Sequence, residues 1–454
     1  MNVHFIAIGG SVMHNLAIAL HLNGCKVTGS DDEIFEPAKS KLDHYHLLPE
    51  KEGWYPERIT PALDSVLLGM HAKADNPELI RAMELGLKIF SFPEFLYGQA
   101  KNKVRVVIGG SHGKTSITAM VMHILKKNTQ DFDYMVGSEV RGFEITVRLS
   151  KKAPVMIFEG DEYPDSTINL TPKFHIYRPQ IALISGIAWD HINVFPTFDG
   201  YVQQFRKFVE LIPPGGTLIF NLEDKVVKEV ADSAKASIKK IGYGIPPYEI
   251  RNGKTVLLSG VKRIALNIFG EHNLQNLAGA AEICKCLGVS EDDCFDSIKD
   301  FTGAARRLEL VYENMSCSIF RDFAHSPSKL KATISAVKEQ FQKRKLIACF
   351  ELHTFSSLNE KFLSEYSGTM QEADISVVFC NTHTLQLKQM PPVTDSAIKK
   401  SFGDEAISVF TDCFSLRSFL ESFHWENKNL LLMSSGNFDG LDLNEIANFV
   451  STHS

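Results

Sequence analysis

One stretch constrains this chain more than any other: Val104-Arg-Val-Val-Ile-Gly-Gly-Ser-His-Gly-Lys-Thr-Ser-Ile-Thr-Ala119. Val104 to Ile108 is a short β-branched apolar run, the pattern of a buried strand. Gly109 to Gly113 supplies a glycine-rich turn, and from Ser116 the apolar residues Ile117, Met120, Val121 and Ile124 recur at helical spacing. Strand, glycine loop, Lys-Thr-Ser and helix form a phosphate cradle. Loop amides and the helix N-terminus face an anion, and the Lys114 ammonium reaches the terminal phosphates. The Thr115 hydroxyl is then placed for Mg²⁺. The usual spacing wants glycine at 108, where Ile108 stands, so the motif is the tighter Gly110, Ser111, His112, Gly113, Lys114, Thr115, Ser116. The alternative is a plain strand–helix turn with an exposed lysine.

At 454 residues the chain is long enough for two to four domains. Net charge is −6 with no basic tail or stripe, which argues against nucleic acid as a partner. No apolar run approaches the ~20 residues that cross a bilayer, and the N-terminus lacks the basic start of a signal peptide. The eight cysteines are scattered, without metal-ligand spacing, as free thiols of a reducing cytoplasm would be.

Residues 3–8 read as a strand, followed by Gly9, Gly10 and Ser11 and a helix from about Met13 to Leu22. A second strand, from Lys26, ends at Asp31. In this βαβ opening, Asp31 lies roughly where an acid meets a ribose hydroxyl. Of the dinucleotide glycine fingerprint only Gly9 is in place. The turn therefore reads as a diphosphate site or as plain packing. Further strands are expected at 65–69 and 88–92, with a polar link at Gly98–Lys103.

Beyond the P-loop, Val155 to Phe158 is a strand ending in Glu159-Gly-Asp-Glu-Tyr163. An acid at the carboxyl end of a parallel strand sits over the nucleotide crevice, so Glu159 is a candidate Mg²⁺ ligand; a solvated acidic loop is the alternative. Ile181 to Ser185 leads in the same way to Asp190 and His191. Asn273 and Asn276, three apart on one helical face, suit an adenine edge or helix capping equally. Past Phe301-Thr-Gly-Ala-Ala-Arg-Arg-Leu-Glu309 a fresh α/β set begins, with strands at 318–322, 346–350, 375–379 and 430–433.

Several of these motifs, in this order, resemble the Mur ligase family, the ATP-dependent amide-forming enzymes of peptidoglycan assembly. Gly110 to Ser116 is similar to its P-loop, Glu159-Gly-Asp-Glu162 to its acidic segment, and Asp190-His191 to its Asp-His pair. Glu271-His-Asn-Leu-Gln-Asn276 resembles its His-Asn box, and Ala305-Arg-Arg307 and Asp322 to Pro327 resemble motifs that open its third domain. The resemblance implies three successive α/β domains: a Rossmann-like UDP-sugar domain over 1–100, a central P-loop ATPase domain over 101–303, and a Rossmann-like C-terminal domain over 304–454 that binds the acceptor.

The resemblance also implies roles. Gly110–Ser116, Asn273, Asn276, Arg307 and Asp322 would hold ATP, Thr115 would hold one Mg²⁺, and Glu159 and His191 would hold a second. Gly9, Gly10, Ser11, Asp31 and His71 would hold UDP-N-acetylmuramate. His325 and His353 would lie near the acceptor or be structural. Lys114, Glu159, His191 and Arg307 would be catalytic. Glu159 to Tyr163 and the opening His4 to Asn15 favour the tripeptide L-alanyl-γ-D-glutamyl-meso-diaminopimelate as acceptor over L-alanine. Asn193 and Arg206 depart from the family pattern, and no modified lysine is expected. A cytoplasmic monomer or weak homodimer is expected. The rival classes are a nicotinamide-dependent oxidoreductase, which leaves the P-loop idle, and a non-enzymatic nucleotide-binding module.

Overall fold

The computed structural model describes residues 1–70, 72–165, 170–190, 194–251 and 253–453. They pack as two units. One comprises Met1–Ile187, Phe198–Gly244 and Leu277–Ser297; the other comprises Ala188–Thr197, Ile245–Asn276 and Ile298–Ser454.

The first unit carries two sheets. Strands β1 (Asn2–Ile6), β2 (Lys26–Ser30), β3 (Ser65–Leu68) and β4 (Ile89–Ser91) pair in parallel in the order β2-β1-β3-β4. The helix Ser11–Leu22 connects β1 to β2 and starts two residues before the expected Met13. The expected link at Gly98–Lys103 begins inside a helix, Phe92–Ala100. Ser91 and Glu94 close a capping box around its first turn and Pro93 stands near its start. These start signals outweigh the roughly 1 kcal/mol that Gly98 costs within it.

The second sheet follows: β5 (Val104–Gly109), β6 (Phe132–Met135), β7 (Val147–Arg148), β8 (Val155–Glu159), β9 (Ile181–Ile184), β10 (Thr217–Asn221) and β11 (Lys239–Tyr243). Their order is β11-β10-β9-β5-β8-β6-β7, parallel except for β7. Val106, Val107 and Ile108 are fully buried, as a continuous apolar run in a two-sided parallel sheet must be. From β5 the chain goes to one side of the sheet and later returns on the other, so β5 ends at a switch point where such sheets open a crevice. The first helix ties the two sheets together. Asn15 Oδ1 accepts from the Thr146 amide at 3.1 Å and Asn23 Nδ2 donates to the Leu149 carbonyl at 2.8 Å.

The second unit has a three-stranded antiparallel sheet, β12 (Tyr248–Arg251), β13 (Lys254–Ser259) and β14 (Lys262–Ala265). It also has a six-stranded sheet of β15 (Glu309–Glu313), β16 (Cys317–Asp322), β17 (Lys345–Glu351), β18 (Ile375–Phe379), β19 (Ser408–Phe410) and β20 (Lys428–Met433). The order is β15-β16-β20-β17-β18-β19, with only β15 antiparallel. Alternation along the central strands feeds two cores. Ala348, Phe350, Leu431 and Met433 join one, and Ile347, Cys349, Leu430 and Leu432 join the other. The α/β architecture read from the sequence is the architecture found. Among the described residues no helix is long and apolar enough to cross a membrane.

Candidate active site

The glycine loop takes the shape its residues allow. Gly110 has φ +135°, and a Cβ there would lie 2.1 Å from Ser185 Oγ. Gly113 has φ +79° and immediately precedes the helix Lys114–Lys127. Both positions lie where L side chains are strained. The loop is stapled to the end of β9: the Ser111 amide donates to the Gly186 carbonyl at 2.9 Å, and the Ser185 hydroxyl donates to the His112 carbonyl. The His112 ring fills space that only a glycine at 186 leaves, since a Cβ there would lie 2.3 Å from the ring.

Lys114 Nζ donates to the Gly110 carbonyl at 2.6 Å and to Glu162 Oε2 at 2.5 Å. Glu162 is fully buried and also accepts from the Tyr201 hydroxyl at 2.9 Å. Burial alone would lower the Lys114 pKa, but Glu162, Asp161 and Glu159 together raise it above the ordinary lysine value. The ammonium is held charged where terminal phosphates would lie.

Register places Glu159 of β8 beside Ile108 of β5. The Thr115 hydroxyl donates to Glu159 Oε1 at 2.7 Å, and the Gly137 amide donates to Oε2 at 2.7 Å. A hydroxyl and a carboxylate meeting beside a phosphate cradle are the hard oxygen donors that Mg²⁺ takes when phosphates supply the rest. His191, like His71, lies outside the described residues; among those described, no group of three His, Cys, Asp or Glu is poised for a metal.

A cavity of about 320 Å³ opens in front of this cradle. Its walls include Lys114, Glu159, Asp161 and Lys173 from the second sheet's side, and Gly10, Ser11, Met13 and Gly69 from the first sheet's side. The helix Ser11–Leu22 starts with no side chain capping it and no acid in its first turn, so its dipole is left to favour an anion. Gly9 donates its amide to Asp31 Oδ2 at 2.7 Å. Burial, reinforced by Asp32, pushes the Asp31 carboxyl up to about 6.

The remaining sequence-derived residues belong to the second unit. Asp322, at the end of β16, accepts the Leu308 and Ala324 amides, each at 2.6 Å, and so shapes its own loop. Burial raises its pKa and Arg307 opposes the rise. The Arg307 guanidinium stacks 4.6 Å from the Phe323 ring centroid. Asn273 donates its amide to the Phe269 carbonyl at 3.0 Å, four residues back. His325 Nε2 and Lys329 Nζ each lie 3.7 Å from Asp190 Oδ2. His353 Nδ1 pairs with Ser435 Oγ at 3.2 Å.

Three participants were not picked out by sequence reasoning. Gly137 holds the strand-end acid Glu159, Tyr201 holds Glu162 in the turn that follows, and Lys173 enters the cavity wall. No spacing from the P-loop signals any of them.

A cradle of this shape, with a carboxylate one strand away in a parallel sheet, defines a protein that uses a nucleoside triphosphate. Comparison with known proteins narrows the class. The Mur ligase middle domain matches residues 108–284 and the Mur ligase family catalytic domain matches residues 2–104. The UDP-N-acetylmuramate--L-alanine ligase of Caldicellulosiruptor bescii is 30% identical over 436 residues, covering 91% of this chain and 92% of the relative. That of Sulfurihydrogenibium sp. is 31% identical over 385 residues, covering 83% and 82%. Among solved structures, UDP-N-acetylmuramate-alanine ligase MurC from Thermotoga maritima superposes with a TM-score of 0.72 at 21% identity, over 100% of this chain and 99% of its own. The murein peptide ligase mpl from Psychrobacter arcticus superposes with a TM-score of 0.67 at 21% identity, over 99% and 98%. The chain belongs to the Mur ligase family, whose members are ATP-dependent amide ligases. The two curated relatives carry alanine-ligase names, which favours the L-alanine alternative over the expected tripeptide.

Proposed function

We propose that the chain joins the lactyl carboxylate of UDP-N-acetylmuramate to the amine of L-alanine, in the cytoplasm, with cleavage of ATP to ADP and phosphate. The reading rests chiefly on one observation: Lys114, braced by Glu162, and Thr115, braced by Glu159, face a cavity whose opposite wall is the uncapped helix start at Gly10 and Ser11.

A free carboxylate resists amines because its charge repels them and oxide is a poor leaving group. In the proposed reaction the carboxylate oxygen takes the γ-phosphoryl group of ATP, giving an acyl phosphate and ADP. The amine nitrogen then forms the C–N bond, phosphate leaves, and the nitrogen sheds a proton. Gly110 to Ser116 would cradle the phosphates, and Lys114 would neutralise charge as it moves. Gly9, Gly10, Ser11 and Asp31, with His71, would hold the UDP moiety. The residues present suit Mg²⁺, which would be held by Thr115 and Glu159 with His191 and would supply charge screening. Asn273, Asn276, Arg307 and Asp322 as ATP residues, and His325 and His353 as acceptor residues, keep the roles the family resemblance implies.

The tripeptide L-alanyl-γ-D-glutamyl-meso-diaminopimelate is the second reading. It is retained on the Glu159–Tyr163 and His4–Asn15 stretches. Mass spectrometry of products from UDP-N-acetylmuramate, ATP and each acceptor tests both. An alanyl product supports the first reading, a tripeptide product the second, and no ATP-dependent product from either would overturn the proposal.

A further inference from the structure

The turn after β8 holds two adjacent carboxylates, and each takes a lysine. Glu162 takes Lys114 of the P-loop; Asp161 Oδ2 takes Lys173 Nζ at 2.7 Å. Lys173 opens the short helix Lys173–Ile176, and that helix is laced back to the same turn. The Lys173 amide donates to the Tyr163 carbonyl at 3.1 Å and the Phe174 amide donates to the Asp161 carbonyl at 3.0 Å. The Lys173 side chain is 10% exposed, while that of its partner is 37% exposed. Its ammonium lies 5.9 Å from the Phe92 ring centroid and 5.5 Å from that of Tyr163.

This is an expensive way to build a wall. An ammonium loses much of its hydration on burial, and an apolar side chain of similar volume would often stabilise the fold as well or better. An ammonium also has three donors, and among the described residues the Lys173 ammonium makes one hydrogen bond, to Asp161. Lys173 nevertheless lines the cavity that Lys114, Glu159, Gly10 and Ser11 share. A ligand with its diphosphate at the Ser11 helix start and its reacting acid near Lys114 brings that acid into the space Lys173 borders.

We propose that Lys173 binds the carboxylate of the sugar-nucleotide acid, with Asp161 as its tether. This rests on the proposed function. Lys173 selects the acid-bearing sugar nucleotide and offsets the repulsion between that carboxylate and the triphosphate. Asp161 fixes the direction from which the ammonium approaches.

Calorimetric titration of the full-length protein with UDP-N-acetylmuramate and with UDP-N-acetylglucosamine, which lacks the carboxylate, tests this. Wild type should prefer the acid by about tenfold or more, the worth of a charge-assisted hydrogen bond. Lys173→Met should abolish that preference without weakening UDP-N-acetylglucosamine, and Lys173→Arg should keep part of it. Asp161→Asn should keep the preference and lower kcat, which a merely structural role would not separate. If wild type binds neither ligand, the functional reading fails. If wild type prefers the acid and Lys173→Met retains the full preference, or if both ligands weaken equally, the role assigned to Lys173 is overturned.

Discussion

The Thr115 hydroxyl and the Glu159 carboxylate meet at 2.7 Å across forty-four residues of sequence. Parallel pairing of β5 with β8 makes the meeting inevitable, because the P-loop leaves the end of one strand and Glu159 ends the other. We predict that Glu159→Ala raises the Mg²⁺ concentration for half-maximal ligation by about tenfold or more and lowers kcat by roughly a hundredfold. A Mg²⁺ titration of ligation rate measures both. An unchanged magnesium dependence would remove Glu159 from the metal site.

Lys114 and Glu162 form a pair in which the acid is fully buried. Lys114→Ala should abolish ATP-dependent ligation while leaving sugar-nucleotide binding measurable. It should also destabilise the protein by about 3–5 kcal/mol, because the buried Glu162 loses its cation partner. Adding Glu162→Gln should recover part of that loss without restoring activity. Denaturant midpoints of the two variants decide this; equal midpoints would mean that Glu162 does not depend on the lysine.

Asp31 makes a pH-dependent contribution. Its carboxyl is pushed from 3.8 to about 6 by burial, so the folded protein holds the proton over a range in which the unfolded chain has lost it. The group therefore costs stability progressively as pH rises through that window. Relative to Asp31→Asn, wild type should lose stability between about pH 4 and pH 6. Sugar-nucleotide binding should tighten as pH rises through about 6, since the ionised carboxylate is the better acceptor for a ribose hydroxyl. A pH-independent difference between the two proteins in urea melts would contradict the assignment.

His4 and Glu78 form a fully buried pair, Nε2 to Oε2 at 3.1 Å, and the Tyr55 amide also donates to Glu78 at 2.7 Å. Burial works to raise the Glu78 carboxyl, yet hydrogen bonding by His4 and Tyr55 carries it below 4.5. A depressed carboxyl stabilises the fold above its unfolded pKa and loses that effect as pH falls through the folded one. Glu78→Gln should destabilise the first sheet's region by a few kcal/mol at neutral pH, about 3–5 kcal/mol for a broken buried pair, and flatten the acid limb of the stability curve. Hydrogen exchange of β1 amides at pH 7 and pH 4 reports this directly. Equal protection in both proteins would argue that the pair is energetically idle.

What could be read in advance was what the chain states locally. The β-branched run before Gly109 and the acid closing 155–159 are complete within a few residues, so strand, loop and strand-end position were legible. The helix Phe92–Ala100 was obscured because Gly98 and the polar residues after it resemble a link, while the capping signals sit at the far end. The sheet of β12 to β14 has short strands rich in lysine and arginine, with too little alternation to stand out. Lys173 was invisible for another reason: only the return of the chain after β8 brings it to Asp161.

The order of strands in the seven-stranded sheet has a consequence for the chain as it is made. The sheet of β1 to β4 is complete once residue 91 has emerged, but the glycine loop is stapled to Ser185 and Gly186, which follow β5 by more than one long crossover. Until β9 arrives, β5 lacks one of its two neighbours and its loop lacks its anchor. Nucleotide therefore has nothing formed to bind on the growing polypeptide for most of the first half of synthesis, and a ribosome-stalled fragment ending before Ile181 should neither retain ATP nor be protected by it from proteolysis.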